Sequence, residues 1–270
     1  METAILFGDV HGESKQLEEL IQVAKARYGD DVQFYSLGDI IDRGPDSSGV
    51  LDLCVQHNVK GVLGNHELWL RHFALTGQFD PFALADVMGG KATLLSYGIT
   101  STDEKDIEHE LDLALPAHHR DYLKNLPIWR RLEVDGQVYR LIHAGMKRAD
   151  AMAFLPTADA VAQKTGMDKM DALVESMARI QPDPLLWRGP NLYRNFNLYT
   201  FEDDSTQVFG HLPQKHPKVN KKWIAIDTGC GTCHPYWLSA VVLPQRETIT
   251  IGQFGGEVPE HVVFPPKSTD

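Results

Sequence analysis

Five short polar clusters punctuate the chain, each rich in residues that bind cations or move protons. They are Gly8-Asp9-Val10-His11-Gly12, Gly38-Asp39-Ile40-Ile41-Asp42-Arg43-Gly44, Gly64-Asn65-His66-Glu67, His143-Ala144-Gly145 and Gly210-His211. Mixed carboxylate, imidazole and amide ligands suit borderline cations such as manganese, iron or zinc. In extended chain, residues two apart project to one side, so Asp9 and His11 are expected to face one cation while Val10 turns inward. Asp39 offers two oxygens and could bridge a metal pair ~3.5–4 Å apart, the separation that in-line displacement favours. A lone Gly-Asp or Gly-His means little, because a strand-end aspartate is ordinarily a turn residue or helix cap. The signal lies in five such clusters, in this order, each following an apolar run.

Those runs define the elements that must position the clusters. Residues 4–7, 32–37 and 59–63 are short, apolar and closed by glycine, as buried strands are. Residues 13–28 place Leu17, Leu20, Ile21 and Ala24 at helical spacing before Gly29, and a second helix is expected over 46–57. Strand and helix in alternation predict an α/β fold with parallel strands and right-handed crossovers. Ligands bind such sheets at the carboxyl ends of the strands, where the clusters fall. Residues 77–127 form helical pieces around 91–97, 106–115 and 119–126, expected as a helical insertion. Strands resume at 128–134, 137–143, 206–209, 223–226, 237–243 and 248–251, with Asp135-Gly136 as a hairpin signal and a helical region at 158–180. One domain over 1–254 and an extended C-terminal tail over 255–270 are expected.

G-D-x-H-G, G-D-x-x-D-R-G and G-N-H-E, followed by His-Ala-Gly and Gly-His, resemble the metallophosphoesterase superfamily. The Asp42-Arg43-Gly44 and Glu67 positions resemble more closely the phosphoprotein phosphatase (PPP) family, whose bacterial members act on phosphoproteins or diadenosine polyphosphates. The resemblance implies a calcineurin-like fold of two stacked mixed sheets flanked by helices; alternation alone supports only one sheet. It also implies that Asp9, His11 and Asp39 hold a first divalent metal, manganese first with iron or zinc as alternatives. Asp39, Asn65, His143 and His211 would hold a second, and the pair would activate a water for attack on phosphorus. His66, oriented by Asp42, would protonate the leaving oxygen, and Arg43 would clamp phosphoryl oxygens. The family uses a second arginine within Leu-Leu-Trp-x-Arg. Here Leu185-Leu186-Trp187-Arg188 brings the arginine one residue early, so Arg188 is the first choice and Arg194 the second.

The expected activity is phosphoprotein phosphatase, on serine or threonine first and tyrosine second. The alternative is hydrolysis of a dinucleoside polyphosphate such as diadenosine tetraphosphate. A non-catalytic metal-binding scaffold ranks last, since the proton donor and every ligand position are kept. Composition narrows the partners. A formal charge of −11 argues against a generic nucleic-acid binder, though bound cations would reverse the field locally for a phosphorylated substrate. Three cysteines are too few for a disulfide framework, and Cys230-Gly231-Thr232-Cys233 is expected as an ordinary loop. No apolar run approaches membrane-spanning length and residues 1–7 leave no room for a signal peptide, so a cytoplasmic protein without membrane or obligate protein partners is expected.

Overall fold

A computed structural model describes residues 3–187, 197–233 and 236–252. The first crossover is as the periodicity predicts: β1 (Ala4–Phe7), α1 (Ser14–Tyr28), β2 (Gln33–Ser36) and α2 (Ser47–Gln56) follow in order, with β1 and β2 paired in parallel. Asp46 caps α2 by accepting a hydrogen bond from the Gly49 N–H at 2.9 Å, the usual service of an aspartate at a helix start. Residues 59–63 do not form a strand. They run extended beside β2, with the Lys60 and Val62 N–H groups donating to Phe34 and Ser36 carbonyls. Leu63 N–H then turns away to Pro127, so the ladder ends before reciprocal pairing develops.

Helix α3 (Glu67–Thr76) starts directly from the third polar cluster and ends at Gly77, whose φ of 75° is the left-handed C-terminal stop that glycine favours. The helical stretch beyond it holds a short 3₁₀ turn (Pro81–Leu84), α4 (Gly90–Ser96), α5 (Glu104–Ala114) and α6 (Ala117–Lys124). The hairpin β3 (Trp129–Val134) to β4 (Gln137–Ile142) turns on Asp135 and Gly136, both at positive φ as a type I′ turn demands. The expected helical region over 158–180 is two helices, α7 (Arg148–Thr165) and α8 (Lys169–Ile180), broken at left-handed Gly166. After the four-residue α9 (Asp183–Leu186) come β5 (Thr206–Phe209), β6 (Lys218–Val219), β7 (Trp223–Ala225), β8 (Leu238–Leu243) and β9 (Glu247–Ile251).

Two mixed sheets result, ordered β2-β1-β8-β9 and β3-β4-β5-β7-β6. Side-chain alternation shows how they stack. Ala4, Leu6, Tyr35, Val241 and Leu243 of the first sheet share one buried cluster with Tyr139, Leu141, Val208 and Ile224 of the second. The intervening residues Ile5, Phe7, Phe34, Ala240 and Val242 turn to the opposite face, against α1, α2 and the helices that follow. A pleated strand with both faces apolar must be covered twice, here by a sheet on one side and helices on the other. The crossover helices account for only one of those covers.

Arg140 interrupts the apolar run of β4 and lies fully buried, donating to Asp168, Asp171, Asp203 and Ser205, with its guanidinium 4.6 Å from the Phe201 ring centroid. It pins the N-terminus of α8 to the second sheet, since Asp168 also caps that helix. Replacing it by methionine removes the cation and leaves the carboxylates facing one another. Arg140→Met is expected to cost about 3 kcal/mol, the low end for breaking a buried ion pair, because the half-exposed Asp168 can rehydrate. Urea denaturation of the two proteins measures it.

Candidate active site

Strand direction brings the polar clusters together. β1 and β2 run parallel in one sheet, and β4, β5 and β7 run parallel in the other. Their carboxyl ends meet at a single rim, where His143 Nδ1, at the end of β4, donates to the Leu37 carbonyl after β2 at 2.8 Å. Asp39, following β2, sits at the middle. Its Oδ2 lies 3.2 Å from His143 Nε2, 3.9 Å from both His11 Nε2 and His66 Nε2, and 4.0 Å from His211 Nδ1. Asn65 Oδ1 and His211 Nδ1 each lie 3.0 Å from His143 Nε2. At the rim, the side-chain atoms able to ligate fall into two groups compact enough to hold a metal ion, His11 with Asp39 and His66, and Asp39 with His143 and His211.

Backbone that side chains ordinarily avoid makes this possible. His11, Asp39, Asp42, Arg43 and His211 all have φ between 46° and 71°, a left-handed conformation that costs a non-glycine residue about 1–3 kcal/mol and persists only where surroundings fix it. The pleat argument for Asp9 and His11 is therefore corrected. β1 ends at Phe7, and His11 reaches the rim through a turn, with its N–H and that of Val10 both held by the Asp39 carbonyl at 3.0 Å. Two glycines clear the space. A Cβ on Gly64 would strike the Asp39 backbone, and one on Gly210 would strike the Asp9 carboxylate.

Glu67 supplies the fixing. Its buried carboxylate accepts from the Gly64 and Asp39 N–H groups, both at 2.9 Å, from Ile40 at 2.8 Å and from Ile41 at 3.3 Å. It thus folds the second cluster around the third. Asp42 is held as tightly: it accepts from His66 Nδ1 at 2.9 Å, Trp69 Nε1 at 3.2 Å and Thr93 Oγ1 at 2.7 Å. Because His66 Nδ1 donates to a carboxylate, Nε2 is the ring atom presented to the rim. Asp9 accepts from the His211 N–H at 3.0 Å. Arg43 places Nη1 2.8 Å from His11 Nε2 and donates from Nη2 to the Val87 carbonyl at 3.1 Å. Arg188 and Arg194 lie outside the described residues.

The electrostatics of these groups fit a cation. Asp9, Asp39 and Asp227 are all buried at the rim. Burial, then Asp227 and Asp39, push the Asp9 carboxyl well above its usual range. Burial raises Asp227 to about 6, with Asp39 adding to it. Burial opposes ionisation of Asp39 too, but His143, His66 and His11 hold it down as a carboxylate. His143 shows the need most directly. Its Nδ1 must carry a proton for the Leu37 carbonyl, so in the neutral ring a bare Nε2 faces two oxygen acceptors, Asp39 Oδ2 and Asn65 Oδ1. Burial lowers its pKa, yet Asp39 overrides this and raises it to about 10. A positive charge belongs at that point, whether a proton or a metal.

Three contributors were not legible beforehand. Asp227 follows β7 at the buried rim, Thr93 reaches Asp42 from α4, and Trp69 serves Asp42 from within the core. Cys230 is buried and donates to Gln16 Oε1 at 3.1 Å, while Cys233 is exposed; both are free thiols.

Two stacked mixed sheets with His, Asp and Asn side chains gathered at their common rim are the architecture of a metallophosphoesterase. The family model of the calcineurin-like phosphoesterases matches residues 3–215, and the chain belongs to that family, whose members use divalent metals. Among relatives, it is 25% identical to a bis(5'-nucleosyl)-tetraphosphatase PrpE [asymmetrical] of Halalkalibacterium halodurans, over 91% of this chain and 92% of the other. It is 27% identical to serine/threonine-protein phosphatase 2 of Escherichia coli, over 82% of this chain and 85% of the other. A crystal structure described as a candidate diadenosine tetraphosphatase aligns with a TM-score of 0.52 at 21% identity, covering 94% of this chain and 95% of that one, and shares the fold. No helix among the described residues is long and apolar enough to cross a membrane.

Proposed function

We propose that this enzyme hydrolyses dinucleoside polyphosphates with a pair of divalent cations held at the rim. Asp9, His11 and Asp39 would hold one, and Asp39, Asn65, His143 and His211 the other; manganese is the first choice, with zinc or iron compatible with the same ligands. The cations would supply an activated water and charge neutralisation for in-line displacement. The protein's own groups do the rest. His66, fixed by Asp42 and presenting Nε2, delivers a proton to the leaving oxygen. Arg43, whose Nη1 is already aimed into the rim, binds phosphoryl oxygens and offsets the charge that grows on them. Arg188, or else Arg194, is the second phosphoryl clamp.

One observation carries the choice of substrate. Phe82 and Trp187 stand 6.4 Å apart between ring centroids, tilted by 57°, and the Phe82 side is 49% exposed. The two rings lean on one another, and each lies close in sequence to a group that touches the rim. Phe82 belongs to the loop whose Val87 carbonyl receives Arg43, and Trp187 follows Leu185, whose carbonyl accepts the Ala144 N–H beside His143. The exposed face of Phe82, backed by the partly buried Trp187, offers stacking to a nucleobase. The similarity to the PrpE tetraphosphatase, which spans nearly the full length of both chains, supports the same reading. Phosphoprotein hydrolysis is the second reading, supported by the likeness to the E. coli protein phosphatase.

Manganese-loaded enzyme assayed on diadenosine tetraphosphate and on phosphoserine and phosphothreonine peptides separates the two. Turnover of the dinucleotide faster by orders of magnitude is the expected result; the reverse ranking overturns the proposal. Phe82→Ala should raise KM for the dinucleotide about 5- to 100-fold, the loss of one base stack of about 1–3 kcal/mol, and leave turnover of p-nitrophenyl phosphate unchanged.

A further inference from the structure

On another face, α2 and α6 meet through three side chains that the phosphoesterase rim does not use. Asp52, on α2, places Oδ1 3.2 Å from His118 Nε2 and 3.0 Å from His119 Nε2, both at the start of α6. Each of the three offers a ligand atom within 4.8 Å of the others, and the two imidazoles stand edge to face with centroids 4.4 Å apart. We propose that Asp52, His118 and His119 form a separate binding site for a divalent transition cation, zinc by preference, that ties α6 to α2.

The geometry suits such a cation. Bonds of about 2.0–2.1 Å in a tetrahedron set neighbouring ligand atoms about 3.3 Å apart, close to both separations from Asp52. Two imidazoles and one carboxylate select zinc, copper or nickel over magnesium or calcium, which take oxygen ligands. His119 is fully buried and anchored from behind, with Nδ1 2.8 Å from the Tyr97 hydroxyl. A partner on the second nitrogen is what orients a ligating imidazole, and the tyrosine oxygen can accept the Nδ1 proton that ligation through Nε2 requires. Burial also lowers the His119 pKa against the pull of Asp52, which keeps the ring in its neutral, ligating form. The positive end of α6 acts in the same direction on both rings. Asp52 and the His118 side chain are exposed, which leaves the remaining coordination position to water.

The site has structural consequences. α6 carries Leu123 into the same core as Trp69 and Phe73 of α3, the helix that begins beside His66. Beside the shared core, the polar tie between α6 and α2 at this end is two histidine hydrogen bonds to one exposed carboxylate oxygen, and a cation would bind all three groups.

The test uses full-length protein stripped by a chelator, equilibrated with zinc alone and analysed for bound metal. Asp52→Ala and His118→Ala should each bind about one zinc equivalent less than wild type, and zinc should raise their Tm by less. Manganese-dependent turnover should stay within about two-fold, because neither side chain belongs to the rim. His143→Ala serves as the counterpart, losing rim metal while retaining this equivalent, so failure at one site is told apart from failure at the other. Equal zinc content in wild type and both exposed-site variants overturns the proposal. So does a zinc-induced Tm shift that survives both substitutions.

Discussion

His66→Asn is expected to lower turnover of the best substrate by about 10²–10⁴-fold, the range for losing a general acid, while bound metal is unchanged. Asparagine keeps an amide that can donate to Asp42, so the local hydrogen bonding and the start of α3 survive. It has no ionisable proton to place where imidazole Nε2 now sits. Because the lost step is protonation of the departing oxygen, the deficit should shrink on p-nitrophenyl phosphate, whose leaving group is already a stable anion. Steady-state kinetics on both substrates, with metal analysis of the same samples, measures it. His66 Nε2 also lies 3.9 Å from Asp39 Oδ2, close enough for a ligand role to compete with the acid role. Loss of metal from His66→Asn with an equal deficit on both substrates would assign it to that role.

Asp39→Asn should abolish activity by a different route, through loss of metal. Among the described residues, Asp39 is the one carboxylate within 4.0 Å of His11, His143 and His211 together, and its charge faces all of them. Its Oδ1 meanwhile accepts the His66 N–H at 3.0 Å. An amide cannot serve both directions. If its NH₂ points toward His66, two donors meet; if it points into the rim, a donor replaces the ligand oxygen. Removing a single outer-shell partner typically costs about 10–100-fold in metal affinity, and loss of a shared ligand should cost more. Metal content after dialysis should therefore fall together with activity, while the circular dichroism spectrum stays native. A variant that retained its full metal complement would mean that Asp39 does not bridge.

The comparison between chain and fold is instructive at particular residues. The expected strands 4–7 and 206–209, and helices beginning near Ser14 and Ser47, lie where periodicity and caps put them, because local apolar spacing decides those elements. Residues 59–63 have the same apolar signature as a strand yet give β2 only two hydrogen bonds, from Lys60 and Val62, and turn their other edge to Pro127. Pairing partners are non-local, and a run of five residues carries no record of them. Asp227 and Thr93 escaped notice for a related reason. Nothing beside them in sequence distinguishes a carboxylate at a buried rim from one in a solvated loop, or a threonine aimed at Asp42 from any other helical threonine.

By itself, the chain determined the chemistry on offer: aspartate, histidine and asparagine placed after apolar runs, with glycines beside them wherever backbones must nearly touch. Tertiary structure decided which atoms point inward. Left-handed backbone at His11, Asp39 and His211, held by Glu67 and by the meeting of two sheets, replaced the simple pleat that extended chain would have given. The physical reason is one of range. Propensity and periodicity act over a few residues, whereas the rim is set by hydrogen bonds such as those from His211 to Asp9 and from His143 to Leu37, which join residues 202 and 106 positions apart.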